Sequence, residues 1–153
     1  MIEELKPRME LDKEDRINRH VFRFQDLLSM LRERDLPEPL VAFINERIQL
    51  LNAVDESHKI LGVKVRKAQS QILSRVEKVA KIVPKNYYRN MWLALGMSTF
   101  GIPLGVAFGV SLDNMAFLGI GLPFGIAIGI GVGTNLDKKA ANEGRQLDFE
   151  VGT

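Results

Sequence analysis

Two long apolar runs dominate the pattern of this chain. Met91 to Leu112 (MWLALGMSTFGIPLGVAFGVSL) and Met115 to Thr134 (MAFLGIGLPFGIAIGIGVGT) are 22 and 20 residues without a formal charge, joined only by Asp113-Asn114. A helix rising about 1.5 Å per residue needs roughly 20 residues to cross a bilayer core of about 30 Å. Both runs meet that length, and the short polar connector suits an antiparallel hairpin. A buried hairpin in a soluble protein would need more polar chain around it than is present here. A pair of strands would leave unpaired backbone in lipid, and Pro103 and Pro123 sit in mid-run.

Upstream, the apolar positions recur at helical spacing. Ile17, Val21, Phe24, Leu28 and Leu31 mark a first helix from about Lys13 to Arg34, ended by Pro37 and Pro39. Val41, Ile44, Ile48 and Leu51 mark a second, ending near Asn52 to Asp55. A third runs from about Glu56 to Val83, with the stripe Val65, Ala68, Ile72, Val76, Val79 and Val83 and with Gly62 as an interruption. The expected fold is all-α: a helical domain over 1–88 built as a bundle or coiled coil, a two-helix transmembrane hairpin over 89–136, and a tail over 137–153. A core this small gains from assembly with other copies.

Inside the apolar runs the pattern is finer. Gly101, Gly105 and Gly109 form a small-residue ridge at spacing four in the first run, and Gly121, Gly125, Gly129 and Gly133 form one in the second. Gly119, Pro123, Ala127 and Gly131 form a further ridge, offset by two residues and so by about 200°. Pro103, Ala107 and Ser111 repeat this in the first run. The stretch 101–109 matches 121–129, twenty positions later. Small residues four apart let helix backbones approach closely, and close packing drives association in lipid. One ridge serves the hairpin partner; the other predicts a homo-oligomer.

Charge separates the chain into unlike segments. Residues 1–56 carry nine Lys/Arg against thirteen Asp/Glu, whereas residues 57–90 carry nine Lys/Arg against Glu77 alone. Lys81, Lys85 and Arg89 precede the first run and Lys138, Lys139 and Arg145 follow the second, while the connector has no cation. The positive-inside bias then places both termini in the cytoplasm, with Tyr87, Tyr88 and Trp92 as an interfacial belt. The N-terminal stretch has no apolar core of a secretory signal.

The third helix carries Lys64, Arg66, Lys67, Arg75, Lys78 and Lys81 on its exposed face. Three roles fit: contact with anionic lipid, pairing with the acidic first half, or binding of a phosphorylated ligand such as a nucleotide or oligonucleotide. Ser98, Thr99, Ser111, Asp113 and Thr134 are candidate pore-lining groups. Ser98, Thr99 and Ser111 are also expected to bond back to their own helix. No cysteine is present, and His20 and His58 lack ligand spacing, so the reading is a non-enzyme without metal or cofactor.

The second run resembles the ATP synthase rotor-ring subunit in its alternating glycines, but no carboxylate for proton carriage lies within either run. In architecture the chain resembles the small two-pass membrane effectors of bacterial antiphage systems, of cyclic-oligonucleotide and Hailong type. The repeat of 101–109 in 121–129 also looks like that of bacterial glycine-zipper proteins. The resemblance implies an inner-membrane channel or pore-forming effector gated through its cytoplasmic domain. The alternative is a non-conducting anchor that recruits a cytoplasmic protein.

Overall fold

The structure is a computed structural model that describes residues 1–6, 16–54 and 58–151. Among the described residues its regular elements are helices apart from one short strand pair. The chain divides into two compact units, Met1–Ile82 and Val83–Thr153.

The first unit holds α1 (Arg16–Arg32), α2 (Glu38–Asn52) and α3 (His58–Ala80). Helix α3 packs against both α1 and α2. Val21, Phe24, Leu28 and Leu31 of α1 are buried as the spacing predicts, joined by Leu27. The expected start at Lys13 and the side chain of Ile17 lie outside the described residues. On α2 the core face is Leu40, Ile44, Ile48 and Leu51. Val41 is only half-buried; the helix starts with Pro39 in its first turn and Leu40 N bonded to Pro37 O at 2.9 Å.

Helix α3 differs from its sequence reading in two respects. Gly62 causes no interruption, since it is buried inside a continuous helix. The helix stops at Ala80 rather than near Val83. Lys81 takes a left-handed φ of 57° and Val83 passes into a strand, while Val79, still inside the helix, is exposed. The expected start at Glu56 and the side chain of His58 lie outside the described residues.

The second unit opens with β1 (Val83–Lys85), followed by α4 (Tyr87–Gly96), a π-helical turn (Met97–Gly101) and α5 (Ile102–Ser111). A 3₁₀ turn (Met115–Phe117) leads into α6 (Leu118–Asn142), and β2 (Gln146–Glu150) closes the unit. Tyr87–Ser111 and Met115–Asn142 are each long and apolar enough to cross a membrane. Both helical arms end in the same way. Asp113 (φ 47°) and Gly144 (φ 67°) are left-handed, and the following N–H groups, Asn114 and Arg145, bond back five residues to Gly109 O (3.0 Å) and Ala140 O (2.9 Å).

β1 and β2 pair in parallel, Val83 with Gln146 and Pro84 with Leu147. Val83, Leu147 and Phe149 are buried, while Lys85 Nζ meets Asp148 Oδ1 at 2.8 Å. The C-terminal strand Gln146–Glu150 therefore returns to the start of α4, clasping the two open ends of the hairpin.

Candidate functional site

The hairpin is held by backbone meeting backbone. α4, the π-turn and α5 all lie along α6. A Cβ at Gly125 would lie 2.5 Å from Gly96 O and 2.8 Å from Gly101 Cα; one at Gly133 would lie 2.5 Å from Arg89 Cα. One at Gly129 would lie 2.9 Å from Leu93 Cα, and one at Gly121 2.7 Å from Gly105 Cα. Real side chains do not occupy such distances, so only glycine permits this separation. The sequence repeat thus packs on itself, Gly101 and Gly105 against Gly121 and Gly125. Gly101 and Gly109 are the tolerant members: at Gly101 the nearest atoms lie at 3.4 Å, and at Gly109 the nearest is the Met115 sulfur at 3.2 Å.

Gly96, absent from the spacing-four reading, belongs to this ridge. It stands five residues before Gly101, one too many for an α-helical ridge. The π-turn absorbs the extra residue: Ile102 N bonds to Met97 O rather than to Ser98 O. Pro103, which has no N–H and clashes with the carbonyl four residues earlier in a regular helix, follows at once.

The ridge of α6 continues one turn past Gly133 to Asp137, which is buried at 7% exposure. Its carboxylate accepts from Tyr88 N (3.1 Å) and Arg89 N (2.9 Å), two of the unpaired N–H groups at the start of α4. Spacing four from Gly133 was the available signal for this residue.

The second ridge faces open space. Gly119, Pro123, Ala127 and Gly131 are exposed, and apart from the local helix backbone no atom of the described residues lies within 4 Å of where a Cβ would stand at Gly119 or Gly131. Pro103, Ala107 and Ser111 are exposed likewise. The polar groups of the hairpin do not converge. Ser98 Oγ bonds back to Ala94 O (3.0 Å) and Thr99 Oγ1 to Leu95 O. Ser111 ends α5, Asp113 is in the turn, and Thr134 is half-buried on α6.

A polar site lies between α2 and α3. Phe43, Arg47, Ser70, Gln71, Ser74, Arg75 and Lys78 line an open cleft of about 420 Å³. The guanidinium carbons of Arg47 and Arg75 lie 4.9 and 5.8 Å from the Phe43 ring centroid. Arg47 reaches Glu46 Oε1 at 3.1 Å, and its buried Nε has no partner among the described residues. Of the six basic residues singled out by sequence, the cleft gathers Arg75 and Lys78. Lys64, Arg66, Lys67 and Lys81 lie outside it. Arg47 and Phe43 come from α2 and are invisible to a reading confined to α3. Two guanidiniums, an ammonium, two hydroxyls and an aromatic ring suit an anion attached to a planar group. No protein family, no curated protein and no solved structure matches this chain.

Proposed function

We propose that this chain is a two-pass membrane protein, both ends cytoplasmic, whose copies assemble into a channel or pore gated by an anionic ligand in the α2–α3 cleft. The observation that carries this reading is the pair of bare small-residue ridges, Pro103-Ala107-Ser111 on the first arm and Gly119-Pro123-Ala127-Gly131 on the second. Each arm spends one ridge on its partner, so the remaining two lie on the outer flanks of the hairpin. Contact between the first-arm ridge of one copy and the second-arm ridge of the next is heterologous. Repetition of such a contact closes a ring when the rotation permits.

The bacterial inner membrane and a role in antiphage defence rest on the architectural resemblance alone. That resemblance makes nucleotides and short oligonucleotides the first ligands to try, and the cleft offers the chemistry they need. The test is ion flux from liposomes carrying the purified chain, with and without such ligands. Ligand-dependent flux lost in Arg75→Glu and in Gly119→Leu/Gly131→Leu supports the reading. Absence of flux from inserted, oligomeric protein overturns it.

One observation favours the second reading, a non-conducting anchor for a cytoplasmic partner. Ser98 and Thr99 satisfy their hydroxyls on their own helix, which leaves fewer polar groups to line a wet path. In that case the Leu substitutions change nothing that an ion flux assay reads.

A further inference from the structure

Residues 1–6 run extended along the first unit, and their backbone is read by side chains. Asn45 accepts from Glu3 N (2.8 Å) through Oδ1 and donates from Nδ2 to Met1 O (3.1 Å). Asn52 repeats this three residues on, accepting from Lys6 N (2.9 Å) and donating to Glu4 O (3.2 Å). Arg32 of α1 donates to the two carbonyls between, Ile2 O at 3.2 Å and Glu3 O at 2.6 Å. Four successive carbonyls and two N–H groups are thereby held without a strand partner.

The register explains why this works. Asn45 and Asn52 are seven residues apart, about 10.5 Å along a helix, and three residues of extended chain cover about 10 Å. Two turns of α2 therefore keep step with three residues of peptide. Each carboxamide supplies one donor and one acceptor, the complement of an extended backbone. Two side chains of the segment are held most closely. Ile2 is buried at 5% exposure, and Gln49, between the two asparagines, donates to Glu3 Oε1 at 2.7 Å.

We propose that the α1–α2 face is a peptide-docking groove that accepts an extended segment of a partner polypeptide carrying an aliphatic residue followed by an acidic one. Residues 1–6 are its resident occupant and competitor. Main-chain hydrogen bonds supply the affinity, and one apolar seat and one amide supply the selectivity, as in other grooves that bind extended peptides. Recognition of backbone by Asn45, Asn52 and Arg32 imposes nothing on the identity of most of the segment. A second chain with the Ile-Glu pair can make the same main-chain contacts and fill the same two side-chain positions.

The test uses the full chain and a peptide of sequence MIEELK labelled at its C-terminal end, read by fluorescence anisotropy. Ile2→Asp unseats the resident segment, so this variant should bind the peptide at least about tenfold more tightly than the unaltered chain. Adding Asn45→Ala and Asn52→Ala removes four hydrogen bonds and should weaken binding at least about tenfold. Circular dichroism checks that the variants are folded. If Ile2→Asp is not, Ile2→Ala should give the same order with a smaller gain. Failure of a folded Ile2 variant to bind, or binding indifferent to Asn45 and Asn52, overturns the proposal. Binding unchanged when the peptide's Ile-Glu is replaced by Ala-Lys overturns its selectivity.

Discussion

The carboxylate of Asp137, near the end of the second apolar helix, caps the first at Arg89, with Oδ2 2.9 Å from the Arg89 amide. The same carboxylate accepts from the neighbouring amide of Tyr88. A helix start leaves N–H groups unpaired, and one buried side chain from the opposite arm answers two of them. Asp137→Ala should therefore cost about 0.5–2 kcal/mol, the range of a lost N-terminal cap. Asp137→Asn keeps an acceptor oxygen and should cost less. Denaturant unfolding of the purified chain in detergent measures both, and equal stability of Asp137→Ala and the unaltered chain would remove the cap from the account.

The two glycine ridges predict opposite outcomes for the same substitution. Gly129→Ala places a Cβ 2.9 Å from Leu93 Cα, so the arms must separate and the hairpin loses stability. Gly131→Ala meets open space and recovers helix propensity, roughly up to 1 kcal/mol. A disulfide between cysteines placed across the arms, formed in the Gly131 variant and not in the Gly129 variant, would show the difference. The reverse order would mean the ridges have been exchanged.

The π-turn predicts that a deletion is tolerated. Removing Ser98 leaves Gly96 and the later ridge glycines at spacing four, which a regular helix aligns on one face. The hairpin of this variant should keep its helicity and its melting temperature within a few degrees. A collapse of both would show that the π-turn does more than absorb a residue. It would then be needed to relieve the ring of Pro103.

Half-buried His20 on α1 predicts how the first unit responds to acid. Burial lowers its pKa below 6.5, helped by the cations Arg66 of α3 and Arg23 and Arg19 of α1. The unfolded chain therefore takes up a proton before the folded one. Stability is held above pH 6.5, falls as the pH drops below it, and levels off beneath the folded value. His20→Gln should flatten that part of a thermal stability profile between about pH 7 and pH 5. A profile of unchanged slope would assign the acid response elsewhere.

Much of this architecture follows from local pattern. The length and apolarity of the two runs, the helical spacing of Phe24, Leu28 and Leu31, and the ridge from Gly121 to Gly133 each concern one helix at a time. A single helix face is a matter of sequence spacing alone. Other features required the chain to return on itself. Gly96 joins the ridge only because a π-turn shifts the register, and that it faces Gly125 and Gly129 shows only once α6 lies alongside. The clasp between β1 and β2 pairs residues more than sixty positions apart, Lys85 with Asp148. The cleft takes Arg47 and Phe43 from one helix and Arg75 from another, and charge counted along α3 alone could not separate Arg75 and Lys78 from Lys64 and Lys67. Helix faces are set by neighbours three and four residues away. Caps, clasps and clefts are set by distances through space, and these exist only once the chain has packed.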